Sequence, residues 1–132
     1  MKPTVGTLLC CITGCLLSSI ALGADKSPPA WGVPQVFSDM AYGTESGDIG
    51  GTEVILIPGD GEFWAVVQIA QGVPLGPVLV KAEVKDNKVE FTLPKDKPAY
   101  EAYGKFTGEI SEAGLKLSNG GEEYGFLKRQ CD

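Results

Sequence analysis

The sequence predicts an all-β fold, a small antiparallel meander of about eight strands closing as a barrel or a two-sheet sandwich. Three observations carry that expectation. From Gln35 onward, short runs rich in Val, Ile, Phe, Tyr and Thr alternate with turn residues. Several runs alternate apolar and polar side chains with a period of two, and no stretch sustains a helical period. The separating turns are tight, so consecutive strands must run antiparallel.

Residues 1–24 read as an export signal that precedes this fold. Lys2 supplies a positive n-region, Val5 to Leu22 an apolar run, and Ala21, Gly23 and Ala24 small residues for a peptidase that cuts after Gly23 or Ala24. The expected location is therefore outside the cytoplasm, periplasmic or secreted. The apolar run approaches the roughly 18 residues of a spanning helix, but Thr7, Thr13, Ser18 and Ser19 interrupt it, which favours cleavage over anchoring. Ile12-Thr13-Gly14-Cys15 also resembles a lipobox, so lipid anchoring through Cys15 is the alternative, although Leu16, Leu17, Ile20 and Leu22 continue the apolar run beyond it.

Residues 25–34 (DKSPPAWGVP) hold three prolines and no periodicity, and read as a spacer. Trp31 is expected to plug one end of the domain in preference to stacking on a ligand. The domain itself is residues 35–132, with strands expected at 35–42, 53–57, 62–70, 78–85, 88–93, 105–111, 115–118 and 123–128. Hairpins are marked by Pro58-Gly59-Asp60-Gly61, Asp86-Asn87, Glu112-Ala113-Gly114 and Asn119-Gly120-Gly121.

Alternation assigns faces. Val89, Phe91 and Leu93 point one way and Lys88, Glu90 and Thr92 the other; Phe106, Gly108 and Ile110 oppose Lys105, Thr107 and Glu109. These strands have one wet face. Val54 to Ile57 and Trp64 to Val67 are apolar on both faces, so the hairpin through Gly59 should be central or covered on its second side. Phe91, Phe106 and Phe126, read as inward, argue for a filled interior. Gly108 and Gly125 mark bends or bulges more readily than ligand contacts.

Composition bounds the chemistry. The chain has 11 basic and 17 acidic residues, and without Lys2 the balance is 10 against 17, or −7. Such acidity argues against nucleic acid or anionic membrane as a partner, lipidation at Cys15 aside. Loss of Cys10, Cys11 and Cys15 with the signal leaves Cys131 without an internal disulfide partner. No histidine is present, so Ser-His and Cys-His nucleophiles and imidazole zinc sites cannot be built. The carboxylates lie on turns and strand faces, which makes a carboxylate-dependent hydrolase the least favoured reading. The glycine-flanked Asp48 and Asp60 lack the following helix of a phosphate loop and the spacing of an EF-hand. No enzyme activity, cofactor or metal is expected.

Two loops remain as candidate binding surfaces. Residues 71–77 hold Val73 and Leu75 between glycines and prolines, and residues 94–104 carry Tyr100 and Tyr103 among lysines. The first loop could equally fold over the barrel mouth and bury Val73 and Leu75, packing under the loop is the favoured reading for Tyr100 and Tyr103, and the two loops stand as separate alternatives.

The run from Lys88 to Pro94 (KVEFTLP), then Gly104 to Ile110 (GKFTGEI), Gly114 to Leu117, Gly120-Gly121 and Phe126-Leu127-Lys128-Arg129 resembles small secreted bacterial β domains. In those proteins the pattern occurs alone or as an accessory module beside hydrolase domains. The resemblance implies a bacterial, noncatalytic module and transfers no functional residue. The expectation is thus an exported binding module for another exported protein. A lipocalin-like carrier of a small apolar ligand is the alternative, since eight strands can just enclose one ligand.

Overall fold

The computed structural model describes residues 32–130; the readings made on the signal, Trp31 and the cysteines concern residues outside that range. The described residues form β1 (Gln35–Ser38), β2 (Ala41–Tyr42), β3 (Ile49–Pro58), β4 (Phe63–Pro74), β5 (Val78–Lys85), β6 (Lys88–Thr92), β7 (Lys105–Ile110), β8 (Gly114–Asn119) and β9 (Glu122–Gln130). All are antiparallel neighbours in one sheet ordered β1-β9-β8-β7-β6-β5-β4-β3-β2. Because β1 also pairs with β3, the sheet closes as an eight-stranded barrel with β2 as an extra strand. Of the two architectures expected, the chain adopts the barrel.

The turns form for local reasons. Asp86 and Asn87 both have positive φ, 49° and 63°, and Gly120 and Gly121 likewise, 59° and 90°. Two consecutive residues of this kind make the primed turn whose twist matches a tight hairpin. At the Pro58–Gly61 hairpin Gly59 N–H donates to the Glu62 carbonyl at 2.7 Å.

The expected strand 35–42 is broken into β1 and β2 at Asp39 and Met40, although both pieces keep one register against β3 (Ser38 opposite Glu53, Ala41 opposite Gly50). The break falls where a side chain takes over one of the two bonds of a backbone pair. Thr52 N–H donates to the Asp39 carboxylate at 2.6 Å while Asp39 N–H donates to the Thr52 carbonyl at 3.1 Å. Gly51 makes this crossing possible: its φ is +118°, and a Cβ there would lie 2.7 Å from the Asp39 carbonyl oxygen. The paired strands also extend beyond the sequence expectation, with β3 beginning at Ile49 and β4 running to Pro74.

Inward side chains fill the barrel. Phe37, Leu56, Ile69, Leu93, Phe106, Leu115, Leu117 and Leu127 are fully buried. The Phe91 and Phe106 rings stack at 5.5 Å, and Tyr124 meets Phe106 edge-on at 4.9 Å. Gly108 faces inward between Phe106 and Ile110, and a Cβ there would lie 2.7 Å from Leu115 Cδ1, so its bare backbone is what admits the β8 leucines.

Phe126 is a correction. Read as inward, it is 45% exposed and Leu127 is buried in its place. The register slips between Leu117 and Ser118: Leu117 opposes Gly125 whereas Ser118 opposes Glu123, leaving Tyr124 as the extra residue of a bulge. One inserted residue reverses the alternation, so Tyr124 and Leu127 point in and Phe126 points out. The bulge reading of Gly125 holds at this place.

The domain has two unlike ends. The turn end carries the hairpins at 59–61, 86–87 and 112–113 together with the start of β1 and the end of β9; the loop end carries residues 43–48, 71–77 and 93–104.

Truncating each ring should separate the two phenylalanines. Phe106→Ala should cost about 3 to 5 kcal/mol in urea unfolding, whereas Phe126→Ser should cost less than about 1 kcal/mol. Equal losses would mean that β9 runs without its bulge.

Candidate functional site

The two loops singled out from sequence are not alternatives on separate surfaces, since the fold brings both to the loop end and into contact. The Tyr100 hydroxyl donates to the Gly76 carbonyl at 2.8 Å, and Gln71 Nε2 donates to the Tyr103 hydroxyl. Leu75 N–H donates to the Ile69 carbonyl at 2.8 Å, and Gln68 Nε2 donates to the Leu75 carbonyl at 3.0 Å. These bonds fold the chain back at Leu75, just beyond Pro74, against β4. Tyr100 is 2% exposed, and Leu75 and Tyr103 are half-buried against the core. Of the four candidates only Val73 stands out in solvent, at 65% exposure.

This cluster is a stopper. Tyr103 packs against Tyr100, Phe106 and Tyr124, with ring centroids 6.3 Å apart in each pair. Asn119 Nδ2 donates to the Tyr103 carbonyl at 2.5 Å, and the Tyr124 hydroxyl shares a hydrogen bond with Thr52 Oγ1 at 3.1 Å. Each phenol thus carries an apolar ring inward and spends its hydroxyl on the rim. Burial pushes the Tyr100 and Tyr103 phenols above their ordinary value. The interior below is occupied by side chains, so ligand capture inside the barrel would require them to move.

The outside of the barrel is divided. On β5 to β9 the outward positions are largely charged. Lys105 pairs with Glu90 at 2.6 Å and Lys116 with Glu123 at 2.8 Å, all well exposed, so each pair adds little stability. A cleft of about 900 Å³ runs over this side, lined by Lys81, Glu83, Lys88, Glu109 and Lys116 among others. Charges of both signs interleave in it. Among the described residues no three Asp, Glu, Cys or His side chains gather as a metal set.

The other side is apolar. Val36 lies opposite Ile55, Ile55 opposite Val66, and Val66 opposite Leu79, which makes one outward row across four adjacent strands. Ile57 and Trp64 form the next row toward the turn end, stopped by Lys81 in its ion pair with Glu62 at 2.5 Å. Leu79 is 61% exposed and Trp64 36%, while the others are half-buried. The expectation that the Gly59 hairpin is central holds, for β3 and β4 are flanked on both sides. No described element covers its second apolar face. Sequence reasoning misses Val36 and Leu79; the signal for them is the single outward apolar residue that each contributes beside polar ones on its own strand.

The stopper gives a pH-dependent expectation. Because folding raises the phenol pKa values, the stability they contribute is intact below pH 10.0 and is lost as pH rises through the folded-state values. Tyr100→Phe should cost about 1 kcal/mol at neutral pH, through the unpaired Gly76 carbonyl, and should flatten the fall of the thermal midpoint above pH 10.0. An unchanged alkaline slope would mean that Tyr100 does not carry the alkaline loss. No family model, curated protein or solved structure matches the chain.

Proposed function

We propose that the chain is an exported, noncatalytic β-barrel module that binds another exported protein, periplasmic or secreted, through its apolar outer wall. The observation that carries this reading is the unbroken row Val36, Ile55, Val66 and Leu79 with Ile57 and Trp64 beneath it, uncovered among the described residues. Contiguous apolar surface on a small barrel is stabilised by being removed from water, at about 25 cal/mol per Å². Trp64, rigid and amphipathic at the edge of the row, is of a residue type enriched among interface hot spots.

Other features support the same reading. The signal expected at residues 1–24 points to the compartment, and the resemblance to secreted bacterial β domains points to the class. The absence of histidine from the sequence and the solvated placement of the carboxylates favour binding over catalysis. A filled interior closed by Tyr100 favours the outer wall over a carrier's cavity.

Site-specific photo-crosslinking tests this. Leu79 and Glu83 both point outward on β5, one on the apolar side and one on the charged side. A benzophenone at position 79 should give one adduct of defined mass in the exporting cell, and at position 83 none. Adducts of equal yield from both positions, or from position 83 alone, would overturn the assignment.

A further inference from the structure

We infer that the barrel is left unzipped between β2 and the first half of β9, and that this seam takes one extended, basic segment of another polypeptide as an added strand. The inference does not rest on the apolar row, which crosses β1 at Val36, on the other side of Ser38.

Pairing stops short along this line. β1 meets β9 only from Val36 opposite Gln130 to Ser38 opposite Lys128, after which the chain stays with β3 as Ala41 and Tyr42. β2 and β9 are not paired with each other, so each presents an open edge there. In an antiparallel ladder, successive residues direct their backbone groups to opposite neighbours. Asp39 N–H donates to the Thr52 carbonyl at 3.1 Å and Gly43 N–H to the Asp48 carbonyl at 2.8 Å, so Tyr42, out of phase with both, turns its N–H and C=O away from β3. On β9, Arg129 N–H donates to the Ala113 carbonyl at 3.1 Å, so Lys128 and Phe126 are the residues that turn away from β8. Lys128 meets Ser38, whereas Phe126 meets no further strand among the described residues.

The seam has lips, an apex and a charge. Tyr42, 63% exposed, and Phe126, 45% exposed, stand on its two lips. An outward side chain of an added strand would lie between these rings as a cross-strand neighbour. At the apex one Asp39 carboxylate oxygen accepts the Thr52 N–H, and the other lies 3.7 Å from where a Cβ of Gly125 would stand. Glu45, Asp48 and Glu122 are exposed at this end of the barrel, with no ion pair among the described residues. Open edge donors and acceptors suit an extended backbone, and the acidic surroundings select lysine or arginine on it. The bulge at Tyr124 keeps the β9 lip short, so the seam accepts a few residues and is a poor edge for stacking copies. A second copy would also bring Glu122 against like charge.

A fluorescein-labelled eight-residue peptide of alternating lysine and valine is the probe, compared with the same peptide methylated at every backbone nitrogen. Methylation keeps the charge and removes the donors. By fluorescence anisotropy at low salt the first should bind the purified protein about ten-fold or more tighter than the second. Amide exchange at Tyr42 and Phe126 should slow about ten-fold when the first peptide is present. Phe126→Pro removes an N–H that β8 does not use, and should weaken binding more than Phe126→Ser, which keeps it. Where Phe126→Pro fails to fold, the two peptides and the exchange rates still decide. Equal binding of the two peptides would reduce the attraction to charge and overturn the inference, as would no binding, or exchange at Tyr42 and Phe126 that the peptide leaves unchanged. Slow exchange at both residues that grows with protein concentration, without peptide, would assign the seam to a second copy and overturn it too. None of these outcomes bears on the position-79 adduct.

Discussion

The fold depends on one four-residue strand that is paired along both of its edges. Gln35, Val36, Phe37 and Ser38 form a short strand, β1, that pairs with β3 along one edge and with β9 along the other, and without it the sheet would have two long open edges. Phe37 anchors this staple, with no exposure to solvent and with the Arg129 guanidinium over its ring at 5.1 Å. Arg129 in turn donates to Gln35 Oε1 and to the Ser111 carbonyl, which ties the first strand, the last strand and the β7–β8 turn together. Immediately after Ser38, the Asp39–Thr52 exchange turns the chain away from β9, and Gly51 gives it room. Closure rests on this short strand because the chain leaves β9 after Ser38, while Ala41 and Tyr42 continue along β3.

A closed barrel has one inside and one outside, and closure therefore decides what the outer residues face. The inside is packed and stoppered by Tyr100 and Tyr103. The outside sorts by strand: β5 to β9 direct mostly Lys and Glu outward, whereas β1, β3 and β4 direct Val36, Ile55, Ile57, Trp64 and Val66 there. The charged half is wet on the ordinary terms of an antiparallel sheet. The apolar half has no such explanation among the described residues of the barrel, and the proposed contact rests on it.

Much of this is legible from local pattern. Strand β5 is bounded in the sequence because Val78 follows Pro77 and Lys85 precedes Asp86-Asn87, and the faces of β6 and β7 follow from strict alternation. The two-faced apolar character of residues 54–57 and 64–67 points to the wall itself. What escapes is nonlocal. The inward reading of Phe126 fails because a bulge reverses alternation without any mark stronger than Gly125. That residues 71–77 and 94–104 share one barrel mouth follows from the meander, in which every second connection falls at the same end, but the hydrogen bonds that join them (Tyr100 to Gly76, Gln71 to Tyr103) have no mark in the local pattern. Leu79 has the look of a core residue because its neighbours Val78 and Val80 are also apolar, yet alternation puts it on the face of Lys81, Glu83 and Lys85, and the β4–β5 register sets it in the outward row.

If the apolar wall, and not the loop end, is where this domain meets its partner, the two places should respond differently when the partner arrives. Methyl NMR of the labelled domain titrated with the unlabelled exported fraction reads both at once. Selective broadening of the Val36, Ile55, Val66 and Leu79 methyls is expected, with the exposed Val73 methyls at the loop end unchanged. Broadening at Val73 with an undisturbed Ile55–Val66–Leu79 row would contradict the wall as the contact surface.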